Sequence, residues 1–277
     1  MFEHCVGRPF TRCMFFSLLL WAITIAQAAE PACDPIRFAY PDFNLPPFFL
    51  GKGSAIPVER GAAVDLFNEV AASRFCKVVL TRLPTKRALG YAMTGEQDAI
   101  VITEPSEEIA SHLALPRNAA NGLDYDEAVR INIYVYVIKR GLISHEVDPK
   151  AWLASRTIGV EFGSNYGERL RQFGFKIEQD SSGTESGLNK LLANRVDAIA
   201  TAGASLDQYL ALHPELNVIR LDKPIAQNRA FIAFSLTYYQ ANRESVEAMW
   251  AWFGKHGQER LDSLVRHYDS IQAEQMP

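Results

Sequence analysis

The side chains in this sequence that could hold a metal, attack a substrate or move a proton are scattered. Six histidines and four cysteines are present. No His-x-x-x-His or Cys-x-x-Cys spacing occurs, and His4 and His267 fall near the two ends, so these residues do not make a zinc set. No Gly-x-Ser-x-Gly elbow presents a serine nucleophile, and no glycine-rich loop is shaped for phosphate. What remains for acid–base work is carboxyls. Glu104, Glu107 and Glu161 are the ones a cleft could tune, since burial raises a carboxyl pKa and lets it serve as an acid. Spacing singles out none of the three. The residues point to binding ahead of catalysis, with no cofactor and no metal expected.

The compartment is written in the first residues. Arg8 and Arg12 precede an apolar run from Met14 to Ile25, and Ala26-Gln27-Ala28 supplies the small residues that a signal peptidase reads. A membrane-spanning helix needs about 20 apolar residues, and this run is shorter. Residues 1–28 are therefore expected to be a cleaved signal peptide, leaving a periplasmic chain with no membrane insertion. A lipoprotein would need a small-residue box before a cysteine, and Glu30-Pro31-Ala32 before Cys33 is a poor one. Losing Arg8, Arg12 and Glu3 takes the formal charge from −4 to −5. That mild acidity, with no basic run, argues against a nucleic-acid partner. Two cysteines remain, Cys33 and Cys76. In an oxidising compartment two such cysteines pair more often than not, although spacing alone leaves two buried thiols open.

The elements that must position any site follow from periodicity. Short strands are expected at Ile36–Tyr40, Val78–Leu83 and Asp98–Thr103, with helices over Ala62–Phe75 and Lys86–Met93. The pattern then repeats. Thr157–Val160, Lys176–Gln179 and Asp197–Ala202 read as strands. Tyr166, Leu170 and Phe173 mark one helix, and Leu188, Leu191 and Leu192 another. Each copy ends on "helix, short turn, Asp-Ala-Ile strand", a βαβ unit that implies parallel pairing. Between the copies Ile131–Ile138 alternates as a strand with two different faces. Val218–Leu221 is a plausible return crossing, and Ala230–Leu236 a further strand. Two amphipathic helices are expected at the end. One carries Val246, Met249, Trp250 and Phe253, and the other, after Gly257, carries Leu261, Leu264, Val265 and Tyr268.

Several stretches in this order resemble the family 3 extracellular solute-binding proteins, receptors of polar amino-acid ABC transporters. They are Pro46-Pro47-Phe48, Gly61–Asn68 (GAAVDLFN), Leu83–Leu89 (LPTKRAL), Gly95–Ile100 (GEQDAI), Ile158–Ser164 (IGVEFGS) and Arg195–Ile199 (RVDAI). The resemblance covers nearly all of the chain after residue 28. It implies an α/β, two-lobed periplasmic-binding-protein-like fold with a mixed sheet in each lobe and a two-strand hinge. Lobe 1 would comprise 29–131 plus 223–277, and lobe 2 would comprise 132–222. A small molecule would lie between them, and the partner would be an ABC permease or a membrane sensor, with the receptor itself a monomer.

The chain departs from that family where an amino acid would be gripped. The resemblance implies an arginine for the α-carboxylate shortly after the first Asp-Ala strand; here the stretch reads Thr103-Glu104-Pro105-Ser106-Glu107-Glu108. It implies an aspartate for the α-ammonium after the second, where this chain has Ala202. A buried zwitterion needs both partners. The ligand is therefore expected to be a small polar or anionic molecule other than a standard L-amino acid. Candidate contacts are Asp42 and Phe43 after the first strand, Arg87, Thr103 and Glu104, Ser164 and Asn165 before a helix, and Thr201. Two other readings stay open: a periplasmic enzyme of the dehydratase kind on the same fold, and an interaction subunit that has lost its ligand.

Overall fold

A computed structural model describes residues 33–139, 148–162, 165–181 and 183–274. The expected signal peptide and Ser164 lie outside the described residues, as does the side chain of Asn165.

The first βαβ unit is β1 (Ile36–Pro41), α1 (Ala62–Ala72), β2 (Val78–Leu83), α2 (Thr85–Thr94) and β3 (Ala99–Thr103), followed by short α3 (Glu107–His112) and β4 (Leu113–Ala114). A long strand, β5 (Val129–Ile138), leads through α4 (Pro149–Leu153) into the second copy. That copy is β6 (Thr157–Glu161), α5 (Asn165–Gln172), β7 (Lys176–Ser181), α6 (Thr184–Leu192) and β8 (Ala198–Ala202). Then come α7 (Asp207–Leu212), β9 (Val218–Arg220), β10 (Ala226–Ser235), α8 (Leu236–Ala241) and α9 (Arg243–Glu274).

Strand pairing shows why the sequence repeats. The order is β2-β1-β3-β10-β5-β8-β6-β7, with β4 on β10 and β9 on β5. Each copy is a parallel triplet, β2-β1-β3 and β7-β6-β8. The aspartate that opens each third strand has the same work in both. Asp98 accepts the backbone N–H of Arg37 (2.7 Å), and its own N–H reaches the Arg37 carbonyl (2.8 Å). Asp197 treats Thr157 identically, at 2.7 and 2.9 Å. The repeated Asp-Ala-Ile signature is thus a strand clamp. Asp98 adds a two-pronged ion pair to the Arg37 guanidinium, at 2.6 and 2.8 Å, which raises the arginine's pKa.

The two triplets are joined by β5 and β10, antiparallel over Ile133↔Ala226 to Val129↔Ala230. Helices cover both faces of each triplet, so every lobe has a core on either side of its sheet. In the first lobe Ile36, Phe38, Tyr40, Phe67, Trp250 and Tyr268 fill one side, and Ala39, Ala92, Ile100 and Phe231 the other. In the second, Val135, Ile158, Val160 and Leu170 face one way, and Tyr136, Leu188, Leu191 and Ile199 the other. Phe38 and Phe67 stack with ring centres 3.9 Å apart, and Asp65 at the start of α1 accepts the Tyr268 hydroxyl of α9 at 2.5 Å.

The structure corrects the sequence reading in four places. The return strand is β10, which starts at Ala226; Val218–Arg220 pairs with the far end of β5, inside the second lobe. The strand expected to run to Leu236 stops at Ser235, whose hydroxyl caps α8 by accepting the Tyr238 N–H. Phe173 lies beyond α5 and is exposed. The two terminal helices are one. Gly257 lies inside α9, where a Cβ would stand 2.8 Å from the Phe253 ring and 3.1 Å from a Val129 methyl. It permits close approach to the sheet and does not end the helix.

Cys33 and Cys76 are bonded, with Cα atoms 5.6 Å apart across a sequence separation of 43. The bridge ties the start of β1 to the end of α1. Constraining a loop of that length is worth about 4 kcal/mol on the chain-entropy account.

Candidate functional site

In parallel α/β sheets the loops beyond the carboxyl ends of the strands are where ligands sit. Here those ends are Pro41 of β1, Thr103 of β3, Glu161 of β6 and Ala202 of β8. The first three meet around a cavity of about 190 Å³. Phe43, Phe48 and Phe49 from the β1–α1 loop wall it, with Leu89 of α2, Ile131 of the hinge and Tyr166 of α5. Thr85 and Thr103 supply hydroxyls. Among its described lining residues Glu161 is the one with a carboxyl. Burial pushes the Glu161 carboxyl up to about 8.

The lobes touch around this cavity. Arg169 of α5 pairs with Glu104 at 3.3 Å and donates to the buried amide oxygen of Asn228 at 3.1 Å. Glu104 adopts a left-handed backbone, φ 44°, and is fastened to β10 in both directions: its N–H donates to the Arg229 carbonyl and its carboxylate accepts the Arg229 N–H. Lys86 of α2 lies 4.9 Å from the centre of the Phe162 ring. Gly183, at φ 87°, backs so closely onto the Asn44 carbonyl oxygen that a Cβ would stand 2.6 Å from it. Lys52 and Glu185 pair at 3.0 Å, both well exposed, beside a larger crevice of about 600 Å³.

Another hollow, of about 350 Å³, lies by the hinge between α9 and the end of β8. Ala202, the position where the resemblance implies an aspartate, lines it with Tyr134, Gly203 and Arg220. Arg220 pairs with Asp207 and lies 4.3 Å from the centre of the Tyr134 ring. Asp207 also accepts the buried Tyr136 hydroxyl at 2.7 Å.

The residues singled out from sequence divide accordingly. Phe43 and Thr103 line the central cavity, and Asp42 lines the outer crevice beside Phe43. Glu104 stands between the lobes as the partner of Arg169. Thr201 is buried within β8, opposite Tyr134 of β5. Arg87 is exposed on the first turn of α2, outside the lining of these hollows. Glu107 and Glu108 are exposed on α3. Sequence reasoning had Glu161 only as one of three candidate acids and missed Phe49, Thr85, Ile131 and Tyr166. A legible signal existed for Glu161, the last residue of a strand before Phe162-Gly163.

Solved structures decide the architecture. The chain has the two-lobed fold of periplasmic solute-binding proteins. It is similar to an ancestral arginine-binding protein bound to arginine, with TM-score 0.61 and 18% identity over 84% of this chain and 97% of that one. It is similar to the GluR0 ligand-binding core from Nostoc punctiforme in complex with L-glutamate, with TM-score 0.62 and 15% identity over 84% and 99%. A histidine kinase sensor domain with similarity to periplasmic binding proteins aligns with TM-score 0.59 and 17% identity over 87% and 95%. No protein-family model matches the sequence, and no curated protein matches it. Among the described residues, no helix is long and apolar enough to cross a membrane and no group of three or more His, Cys, Asp or Glu is placed to hold a metal ion.

Proposed function

We propose that this protein is a secreted receptor of the periplasm that binds a small molecule between its lobes and hands it, or the news of it, to a membrane partner. One observation carries the reading: the carboxyl ends of β1, β3 and β6 converge on an interlobe cavity walled by Phe43, Phe49 and Tyr166 and bearing Glu161. The apolar run at Met14–Ile25 and the Cys33–Cys76 bridge support an oxidising, extracytoplasmic location. The lobes are proposed as 29–131 plus 223–277, and 132–222. The partner is an ABC permease or a membrane sensor. A sensor domain among the structural relatives supports the second choice.

The ligand is not a standard L-α-amino acid. Ala202 offers nothing to an α-ammonium, and the stretch after β3 offers Glu107 and Glu108 to an α-carboxylate. Glu104, the acid nearest the cavity on that side, is already engaged by Arg169. The cavity also weighs against the anionic ligand expected from sequence, because an anion there would lie beside a carboxyl.

A thermal-shift screen of the purified protein against amino acids, amines, organic acids, sugars and aromatic metabolites tests this. A ligand at 100 times its Kd adds about 2.7 kcal/mol of stability. The expected result is stabilisation by at least one compound outside the L-amino acids. Stabilisation by arginine or glutamine alone would overturn the ligand assignment, and a folded protein that nothing stabilises would overturn the receptor reading.

A further inference from the structure

Resting on that receptor reading, we infer that the cleft takes a two-part ligand of the aryl glycoside kind: a small apolar ring in the central cavity and a hydroxylated body in the outer crevice. The two hollows share a wall. Phe43 lines both the central cavity of about 190 Å³ and the crevice of about 600 Å³. Its ring reaches the second lobe: a Cβ added at Gly183, the cap of α6, would lie 3.6 Å from the Phe43 Cδ2. Sites that bury a whole ligand of ordinary size hold roughly 300–1,000 Å³. The crevice falls within that range and the central cavity below it. An apolar cavity of roughly 150 Å³ is enough for benzene. The central cavity therefore suits one six-membered ring, and the rest of a larger solute has room only in the crevice.

The two linings differ as the two parts of such a ligand do. Phe48, Phe49, Leu89, Ile100 and Ile131 wall the central cavity with apolar surface. The crevice has Asp42, Asn44 and Lys52 of the β1–α1 loop on one side and α6 with the turn after it on the other. Glu185, Asn189 and Ala193 recur every fourth residue, so they lie along one face of α6, with Ser186 beside the first. Carboxylates there accept hydrogen bonds, Lys52 and Arg195 donate them, and the Ser186 hydroxyl and the Asn189 amide do both. A sugar hydroxyl is donor and acceptor at once and can use such a mixed row. An apolar tail would strip these groups of water without replacing their hydrogen bonds. A glycoside is also neutral and brings into the cleft no charge that would need a partner. Both hollows draw residues from both lobes, Tyr166 of α5 in one and α6 in the other, so a ligand that fills them ties the lobes together.

The test is calorimetric titration of the full protein with phenyl β-glucoside, phenol and methyl β-glucoside. Phenyl glucoside should bind at least about tenfold more tightly than either fragment, because joining the two parts makes the second contact intramolecular. Asn189→Ala, an exposed change on α6, should weaken phenyl glucoside about three- to tenfold and leave phenol unchanged. Leu89→Phe, which fills the central cavity, should abolish binding of phenol and phenyl glucoside in a protein whose circular dichroism matches the parent's. Phenol or methyl glucoside binding as tightly as phenyl glucoside would overturn the two-part assignment. So would an Asn189→Ala variant that weakens phenol as much as phenyl glucoside. Failure of phenyl glucoside to bind would overturn it too: a different hit in the broad screen would leave the receptor reading standing, and a blank there would remove both.

Discussion

Glu161 is the residue on which most depends, and its environment makes a stability prediction that needs no ligand. Its folded pKa is raised from 4.5 to about 8 by burial. A raised carboxyl means that the folded state binds more protons than the unfolded state between those two values. Its contribution to stability is therefore most favourable at low pH and is lost as pH climbs through that window, at up to about 1.4 kcal/mol per unit. Glu161→Gln removes the titrating group. The variant should be more stable than the parent at about pH 9, with the gap closing as pH falls towards 4.5. Chemical denaturation of both proteins across pH checks this; a gap that does not change with pH would show that the carboxyl is not buried as described. The site was only partly legible in the sequence at this scale. Phe43 and Thr103 could be placed because the first follows a strand and the second ends one, and such strand ends must face a cleft. Phe49, Thr85, Ile131 and Tyr166 come from four different segments, and no local pattern tells that they share one wall.

At the scale of elements, the doubled Asp-Ala-Ile strand is the feature that sequence and structure share most fully. Period and composition sufficed to find it because parallel strands buried on both faces are short apolar runs. Its aspartates proved structural. Asp98→Ala should cost about 1–3 kcal/mol, the cost of leaving the Arg37 N–H and guanidinium without their acceptor. Unfolding titrations measure it, and a change below about 0.5 kcal/mol would mean that the clamp is replaceable. The Cys33–Cys76 bridge should contribute up to about 4 kcal/mol, seen as a lowered denaturation midpoint when the bond is reduced. An unchanged midpoint would contradict it. Gly257 is a helix breaker by propensity, yet α9 runs through it, and the Phe253 ring and Val129 leave no room there for a Cβ. Val218–Arg220 has strand composition, and only pairing with β5 shows that it stays within one lobe.

For the molecule as a whole, the question is what holds the lobes together. The Arg169–Glu104 pair and the Arg169–Asn228 hydrogen bond bridge them next to the cavity. Arg169→Ala should loosen that closure, giving a larger radius of gyration by small-angle scattering without ligand and a smaller one when a stabilising ligand is added. The same scattering curve as the parent would show that the pair is not a latch. The receptor reading requires a small molecule in the cavity between Phe43, Thr103 and Glu161. The most direct measurement is a crystal structure grown with the compound that most stabilises the protein in solution. Density for that compound in this cavity, against Phe43, Thr103 and Glu161, is the expected result. Density for it elsewhere on the surface, with this cavity empty and the lobes unmoved, would contradict it.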